Sequence, residues 1–326
     1  MTMFKDLDYY KRLFDIYRNF KGRKVEATAL PTRMWVELSA RCNLKCVMCP
    51  NKDMEESTKG FLPWEVFKKT VDEASEFIFD ISLHHRGESL MHPEAAKMIT
   101  YAAQKIRRTN LHTNGTLLSQ EMSRSIVEAG LDRISFSFDG FVKQDYEKIR
   151  VGADFDLTVE NIKNLLRIRN EAHSKVPFVA IEVIELSESQ VKNDNRDRFI
   201  EDFKALGLDE LVVKKPHNWA GHLTTDFKKK TYAPCTFLWN ALLVLYNGDV
   251  VPCAQDFFAK QVVGSVTQKS LKEIWNDEPI QKLRRALVEK RYQEYPACKN
   301  CDRLWRDTFM GIPKEYLKRF MLHKMP

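Results

Sequence analysis

Between Met34 and Lys214 the chain alternates short apolar runs with amphipathic stretches, and this alternation restricts the fold more than any other feature. Strands are expected at 34–38, 78–84, 109–113, 132–138, 178–186 and 210–214. Helices are expected at 63–76, 93–106, 158–169 and 196–206, with one more capped near Ser119 that turns Met122, Ile126 and Val127 inward. Strands alternating with helices of this length imply βαβ units and a parallel sheet. Six repeats are too few for a closed eight-fold barrel. A chain of 326 residues leaves room for a second, smaller domain.

The run Cys42-Asn43-Leu44-Lys45-Cys46-Val47-Met48-Cys49 begins just past the first of these strands. Ligand chemistry in α/β folds gathers outside the carboxyl ends of strands. Three thiolates at x3 and x2 spacing can hold three corners of one metal centre, and all-thiolate sets suit iron–sulfur clusters or zinc. A cubane held by three cysteines leaves one iron open to a ligand that is not protein. A structural zinc knuckle, or cysteines used in packing, accounts for the spacing as well. Cys-x3-Cys-x2-Cys directly after a first strand resembles the cluster loop of the radical S-adenosylmethionine (SAM) enzymes. The resemblance implies an α/β fold with a partial (β/α)6 TIM-type barrel, open on one side. It also implies a [4Fe–4S] cluster on Cys42, Cys46 and Cys49, with SAM chelating the open iron and Met48 counted among the cofactor-binding residues. In that family one electron cleaves SAM to methionine and a 5′-deoxyadenosyl radical.

The ends of the later strands extend the resemblance. Arg86-Gly87-Glu88-Ser89 is similar to the family's Gly-Gly-Glu-Pro turn, which holds SAM's amino group; Gly87 permits close backbone approach and Glu88 matches the acid. Arg86 and Ser89 depart from the pattern. Thr113-Asn114-Gly115 resembles the family's Thr-Asn-Gly, and read alone is a plain turn. Ser137-Phe138-Asp139-Gly140 resembles its Ser-x-Asp-Gly, which implies cofactor contacts from Asn114, Ser137 and Asp139. Ser137 and Arg150 match the Ser and Arg that bind SAM's carboxylate in relatives, a role a guanidinium fork suits. The glycine motif of the family's fifth strand is missing, so the adenine contacts are unassigned.

A second cysteine set follows. Cys235 precedes an apolar run at 241–246, then Asn247-Gly248, then 249–251, and Asn-Gly between two such runs is a strong hairpin signal. The hairpin returns Cys253 toward Cys235, and Cys298-Lys299-Asn300-Cys301 adds two thiolates after helices at 271–275 and 279–289. Four cysteines close a metal site, and a zinc ribbon fits them as well as a cluster. The arrangement resembles the twitch form of the SPASM domain, which implies an auxiliary [4Fe–4S] cluster on Cys235, Cys253, Cys298 and Cys301. Three plus four accounts for all seven cysteines. The domain reading is an N-terminal helical segment over 1–30, a radical SAM barrel over 31–220, a small C-terminal cysteine-rich twitch/SPASM domain over 221–311 and a C-terminal helix over 312–326.

Other residues point toward substrate. Glu182 lies within Val179-Ala180-Ile181-Glu182-Val183-Ile184, and a carboxylate in an apolar strand needs a partner or a function. It is the candidate base, since Glu185 faces the opposite side. His84 and His85 end the second strand on opposite faces, and His217 and Trp219 follow the sixth; each is a substrate candidate, against the blander reading of packed core residues. An odd cysteine count in clustered spacings argues against a disulfide framework. The longest apolar run, 237–246, is broken by Asn240 and falls short of the ~20 residues of a membrane helix. No secretory signal pattern opens the chain, so a cytoplasmic setting is expected. The net charge of +7 is spread along the chain rather than gathered with aromatics, so neither nucleic acid nor membrane is an expected partner. A leader-peptide-binding domain needs more than the thirty or so residues before the barrel, which argues against a large leader-bearing peptide substrate.

The closed cysteine count leaves no spare thiol to return a hydrogen atom, as several radical SAM epimerases do. The resemblance extends to twitch-bearing dehydrogenases of amino-alcohol rings. It implies an oxidoreductase acting on a small hydroxylated substrate, a sugar or aminocyclitol, with the auxiliary cluster accepting an electron and a flavodoxin or ferredoxin supplying the reductant. Peptide or sugar modification by epimerisation or cross-linking is the alternative within enzymes. A non-catalytic zinc or iron–sulfur module is the alternative outside them.

Overall fold

The computed structural model describes residues 3–187, 194–225, 230–309 and 312–314, which divide into two compact units. One comprises Arg33–Pro216 with Val244–Gly248; the other comprises Met1–Thr32, His217–Leu243 and Asp249–Pro326.

The chain opens with helix α1 (Met3–Lys21). The first unit then runs β1 (Arg33–Val36), α2 (Trp64–Ala74), β2 (Asp80–Ser82), α3 (Ala95–Lys105), β3 (Arg108–Thr113), α4 (Gln120–Glu128) and β4 (Arg133–Ser137). Two helices follow in succession, α5 (Lys143–Ile149) and α6 (Phe155–Glu171), and then β5 (Phe178–Ile184), α7 (Asp194–Ala205) and β6 (Glu210–Lys214). Neighbouring strands pair in parallel and in chain order from β1 to β6. Ser119 caps α4 by accepting from Met122 N, and Asp154 caps α6 by accepting from Leu157 N, which starts that helix three residues before the expected Thr158. The second strand is shorter than expected because Phe77 and Ile78 are buried in the turn after α2. Helix α5 was not anticipated: it is under two turns long and Tyr146 is its one buried residue.

Period-two alternation sorts the strands into two faces. Met34, Val36, Ile81, Leu111, Ile134, Phe136, Val179, Ile181 and Val183 are buried on one face. With Phe67, Val71, Met98, Ile99, Ile126, Ile162 and Leu165 of the helices they make the core. Burial of each such side chain contributes about 1.5–3 kcal/mol. The opposite face is polar. At its N-terminal end Asn110 Nδ2 donates to Asp80 Oδ1 at 3.0 Å and Arg133 Nη2 donates to Glu210 Oε2 at 2.9 Å. Farther along, toward the carboxyl ends, it presents His112, Ser137, Glu182 and Lys214.

The second unit holds α1 and then β7 (Thr231–Tyr232), α8 (Phe237–Asn240), β8 (Ala241–Val244), β9 (Asp249–Val251), β10 (Gly264–Ser265), α9 (Leu271–Trp275), α10 (Glu278–Val288) and α11 (Pro296–Lys299). The expected hairpin turns at Asn247-Gly248, where Gly248 has φ +86°. The N-terminal segment shares this unit. Trp239 Nε1 donates to Lys24 O at 2.7 Å and Trp275 Nε1 to Ala29 O at 2.8 Å. The buried guanidinium of Arg284 donates to Leu238 O, Trp275 O, Val25 O and Asn276 Oδ1 at 2.8–3.1 Å. The C-terminal helix expected over 312–326 lies outside the described residues from 315 onward. Ile312–Pro313 form a short strand against Thr308–Phe309. Among the described residues no helix is long and apolar enough to cross a membrane.

Candidate active site

The cysteine loop leaves β1 and is clamped along its length. Lys45 N donates to Val151 O and Val47 N to Ile149 O, both at 2.9 Å, so the loop is laced to the residues on either side of Arg150. Asn51 Nδ2 donates to Ala40 O at 2.9 Å and Arg86 O at 3.0 Å, which joins it to the turn after β2. Cys46 is buried, Cys42 and Cys49 half-buried. Burial pushes the Cys42 thiol up to about 12 and Cys49 up to about 11, and raises Cys46 as well. Among the described residues no three His, Cys, Asp or Glu side chains converge closely enough to hold a single metal ion. The all-thiolate donor set fits a cluster, with each thiolate on its own iron.

Gly87 lies where no side chain fits: a Cβ there would stand 2.4 Å from the carbonyl oxygens of Ser39 and Arg41. Glu88 N donates to Arg41 O at 2.8 Å. The Glu88 carboxylate accepts from Leu90 N at 3.0 Å, Thr113 Oγ1 at 2.7 Å and Asn114 N at 2.8 Å, which fixes it between the ends of β2 and β3. Burial raises its pKa above the ordinary carboxylate value. Asn114 Nδ2 donates to Asn43 Oδ1 at 2.9 Å, joining the turn after β3 to the cysteine loop. Asp139 accepts from Ile184 N at 2.6 Å and from Arg150 Nη2 at 2.5 Å. Arg150 Nη1 reaches Cys46 Sγ at 3.7 Å, while its buried Nε has no hydrogen-bond partner among the described residues. Gly87, Glu88, Asn114, Asp139 and Arg150 are thus tied, directly or through neighbours, to the loop that carries the three cysteines. Met48 is half-buried within that loop.

Both departures from the Gly-Gly-Glu-Pro pattern have partners. Arg86 forms a fork with the fully buried Glu37, Nε to Oε1 at 2.7 Å and Nη2 to Oε2 at 2.6 Å, and Glu37 also accepts from Tyr246 N at 3.1 Å. Burial pushes the Glu37 carboxyl up, but the Arg86 hydrogen bond and charge outweigh it and the net shift is downward. Ser89 Oγ donates to Leu83 O at 2.6 Å. Glu37 was missed in the sequence, although its setting in Met34-Trp35-Val36-Glu37-Leu38 carries the cue that singled out Glu182.

Five polar side chains gather at the carboxyl ends of β2 to β6. His112 Nε2 lies 2.6 Å from Ser137 Oγ, and its Nδ1 lies 4.0 Å from Glu182 Oε2. Lys214 Nζ meets the same Glu182 oxygen at 2.5 Å. The rings of His84 and His112 are 5.2 Å apart, and His84 Nδ1 is buried with no hydrogen-bond partner among the described residues. Glu182 shares this face, but burial, which pushes its carboxyl up, is overcome by His112 and Lys214, and it settles at about 2. Burial lowers both His84 and His112 below the ordinary imidazole value, so each ring is neutral near pH 7. His85 turns to the other side, and burial takes it down to about 4 beside the Glu37–Arg86 pair. His112 was also missed; it is the penultimate residue of β3, one position before the Thr-Asn-Gly turn.

In the second unit Cys235, Cys253, Cys298 and Cys301 line one cavity with Leu238, Pro252, Leu283, Leu287, Ala297 and Leu304. Burial pushes Cys301 up to about 12 and raises the other three. Four thiols facing a common, mostly apolar space form a complete protein ligand set for a cluster. His217 and Trp219 belong to this unit: His217 Nε2 is 3.1 Å from Arg303 Nη2, and Trp219 packs edge-on against Phe257 at 5.1 Å.

Two family models match the chain. Residues 36–181 match the Radical SAM superfamily and residues 235–302 match SPASM, an iron–sulfur cluster-binding domain. The chain is 26% identical over 315 residues to the tungsten-containing aldehyde ferredoxin oxidoreductase cofactor-modifying protein of Pyrococcus furiosus, covering 82% of this chain and 86% of that protein. It is 21% identical over 274 residues to the S-adenosyl-L-methionine-dependent 2-deoxy-scyllo-inosamine dehydrogenase of Niallia circulans, covering 82% and 91%. Its fold is similar to the crystal structure of BtrN in complex with AdoMet and 2-DOIA, with a TM-score of 0.58, 20% identity, and 83% and 93% of the two chains covered. The two domains imply SAM and two iron–sulfur clusters as cofactors. The chain is a radical SAM enzyme with a partial α/β barrel and a C-terminal SPASM domain.

Proposed function

We propose that the protein is an oxidoreductase that converts a carbinol of a small hydroxylated substrate, a sugar or aminocyclitol, to a carbonyl. The observation that carries this reading is the polar set of His84, His112, Ser137, Glu182 and Lys214 at the carboxyl ends of the strands. Hydroxyl-rich substrates need such donors and acceptors to replace water. When bound, the cofactors supply a 5′-deoxyadenosyl radical for hydrogen abstraction and an auxiliary cluster as electron sink. The chain's own residues hold and orient. Cys42, Cys46 and Cys49 ligate the first cluster, and Cys235, Cys253, Cys298 and Cys301 the second. Gly87, Glu88 and Asn114 shape the pocket for SAM's amino end. Arg150, with Ser137, meets its carboxylate while Asp139 steadies the guanidinium. Glu182, kept ionised by Lys214, accepts hydrogen bonds from the substrate and positions it. All seven cysteines are ligands in this assignment, and none is left to donate a hydrogen atom back, which favours oxidation over epimerisation. The reductant is a flavodoxin- or ferredoxin-type donor.

The test is anaerobic turnover of the reconstituted protein with SAM, reductant and a panel of polyols, aminocyclitols and peptides. The expected product is two mass units lighter than its substrate and traps with a hydrazine, in step with 5′-deoxyadenosine. An isomer of unchanged mass, or a cross-linked peptide, contradicts the proposal.

A further inference from the structure

We propose that His112 Nδ1 is the atom that takes the hydroxyl proton of the substrate, with Glu182 and Lys214 as the charged pair that receives the resulting imidazolium. This inference rests on the oxidoreductase reading above and assigns the proton within it.

Three groups come from three different strands: His112 from β3, Ser137 from β4 and Glu182 from β5. Ser137 Oγ sits 2.6 Å from Nε2. If that nitrogen carries the proton, it donates to Ser137, and the serine keeps its own hydrogen for SAM's carboxylate. Nδ1 is then a lone pair on the side of Glu182 Oε2. The 4.0 Å between Nδ1 and Glu182 Oε2 is too long for a direct hydrogen bond and wide enough for a substrate hydroxyl beside both. The ring retains 27% of its side-chain exposure and Glu182 11%, so the imidazole is reachable while the carboxylate behind it is shielded.

The other groups in reach are less suited. Lys214 is a cation already bound to Glu182, and the Glu182 carboxylate is engaged by that ammonium at 2.5 Å. Asp139 is taken by Arg150 and Ile184 N. His84 is unpartnered at Nδ1, and no carboxylate among the described residues forms an ion pair with it to receive a positive ring. His112 faces charge from each neighbouring strand: Glu182 and Asp139 favour its protonated form, and burial, Lys214 and Arg150 disfavour it. Burial is the largest of these, so the ring starts neutral and able to accept.

The step balances. The carbinol carbon loses its hydrogen atom to the deoxyadenosyl radical, His112 Nδ1 takes the hydroxyl proton, and the remaining electron leaves to an oxidised iron–sulfur cluster. One C–H and one O–H bond break, the C–O bond becomes a carbonyl, and the imidazolium returns its proton to solvent.

The experiment compares wild type, His112→Gln and His112→Ala by carbonyl formed per 5′-deoxyadenosine released, across pH 5 to 9. For wild type the ratio falls on the acid side with an apparent pKa below 6.5, because protonating the ring removes the acceptor. In both variants the ratio falls about 100-fold or more, the acid limb is lost, and added imidazole partly restores His112→Ala. A second measurement, on resting protein without SAM, is the ¹⁵N spectrum of His112, expected to show the Nε2–H tautomer. Variants with a wild-type ratio and an unchanged acid limb, or an Nδ1–H tautomer, overturn the proposal while wild type still makes a carbonyl. Absence of carbonyl from wild type overturns the oxidoreductase reading itself, and this assignment with it.

Discussion

Arg86→Met destabilises the barrel unit by about 3–5 kcal/mol, the expected cost of leaving one half of a buried ion pair without its partner. Glu37 is wholly buried and in wild type is satisfied by two guanidinium nitrogens and by the backbone N–H of Arg86 and Tyr246. Methionine keeps much of the volume and removes the charge, so the carboxylate is stranded. For a unit of this size the loss lowers Tm by roughly 10 °C. Glu37→Gln on the Arg86→Met background recovers most of it, since the buried charge disappears and the amide oxygen still accepts a backbone hydrogen. The pH dependence has a definite sign. In wild type the Glu37 carboxyl is held below its ordinary 4.5, so the pair stabilises fully above that value and less as the pH falls through it. Without the guanidinium, burial outweighs the backbone N–H bonds that remain and the carboxyl rises, so the variant's deficit is largest at pH 7–8 and shrinks toward pH 5. Thermal melts of the three proteins at two pH values check all of this. A deficit under about 1 kcal/mol contradicts the assigned partnership.

The second large effect is on chemistry. Cys46→Ala is expected to abolish 5′-deoxyadenosine release and remove about half the iron, leaving the four bound through the other unit. Cys46 is the most buried of the three loop cysteines and the one its surroundings grip hardest. The backbone on either side of it is bonded to Ile149 and Val151, and Arg150 points at its sulfur. A cubane with two protein ligands and two open irons is no longer held at the mouth of β1. Iron and sulfide analysis alongside a SAM cleavage assay reads both expectations. Retention of full iron with normal cleavage would remove Cys46 from the ligand set.

Much of the fold is legible in local pattern because its strands are short, parallel and bounded by turns. The strand at 210–214 and the helix at 271–275 fall where hydrophobic periodicity places them. Both cysteine sets stand out by their clustered spacing, and Gly87 sits where only glycine tolerates carbonyl oxygens that close. What escapes depends on contacts distant in sequence. Glu37 and Arg86 are forty-nine positions apart, and nothing near either one announces the other. Glu182 could be placed within a strand, but Lys214, whose ammonium meets its carboxylate, lies thirty-two positions on. His112 looks like an ordinary strand residue until Ser137 and Glu182 stand beside it. The N-terminal segment reads as a helical segment of its own, yet Lys24, Val25 and Ala29 are bonded to Trp239, Arg284 and Trp275 of the cysteine-rich unit.

The central claim is that the loop cluster keeps one iron for SAM. Electron–nuclear double resonance on the anaerobically reduced protein, with SAM labelled by ¹⁵N in its amino group and ¹⁷O in its carboxylate, tests this directly. The predicted result is hyperfine coupling of both labels to the cluster in wild type, lost in Cys46→Ala. A cluster signal indifferent to labelled SAM, or a colourless protein holding zinc on Cys42, Cys46 and Cys49, would contradict it.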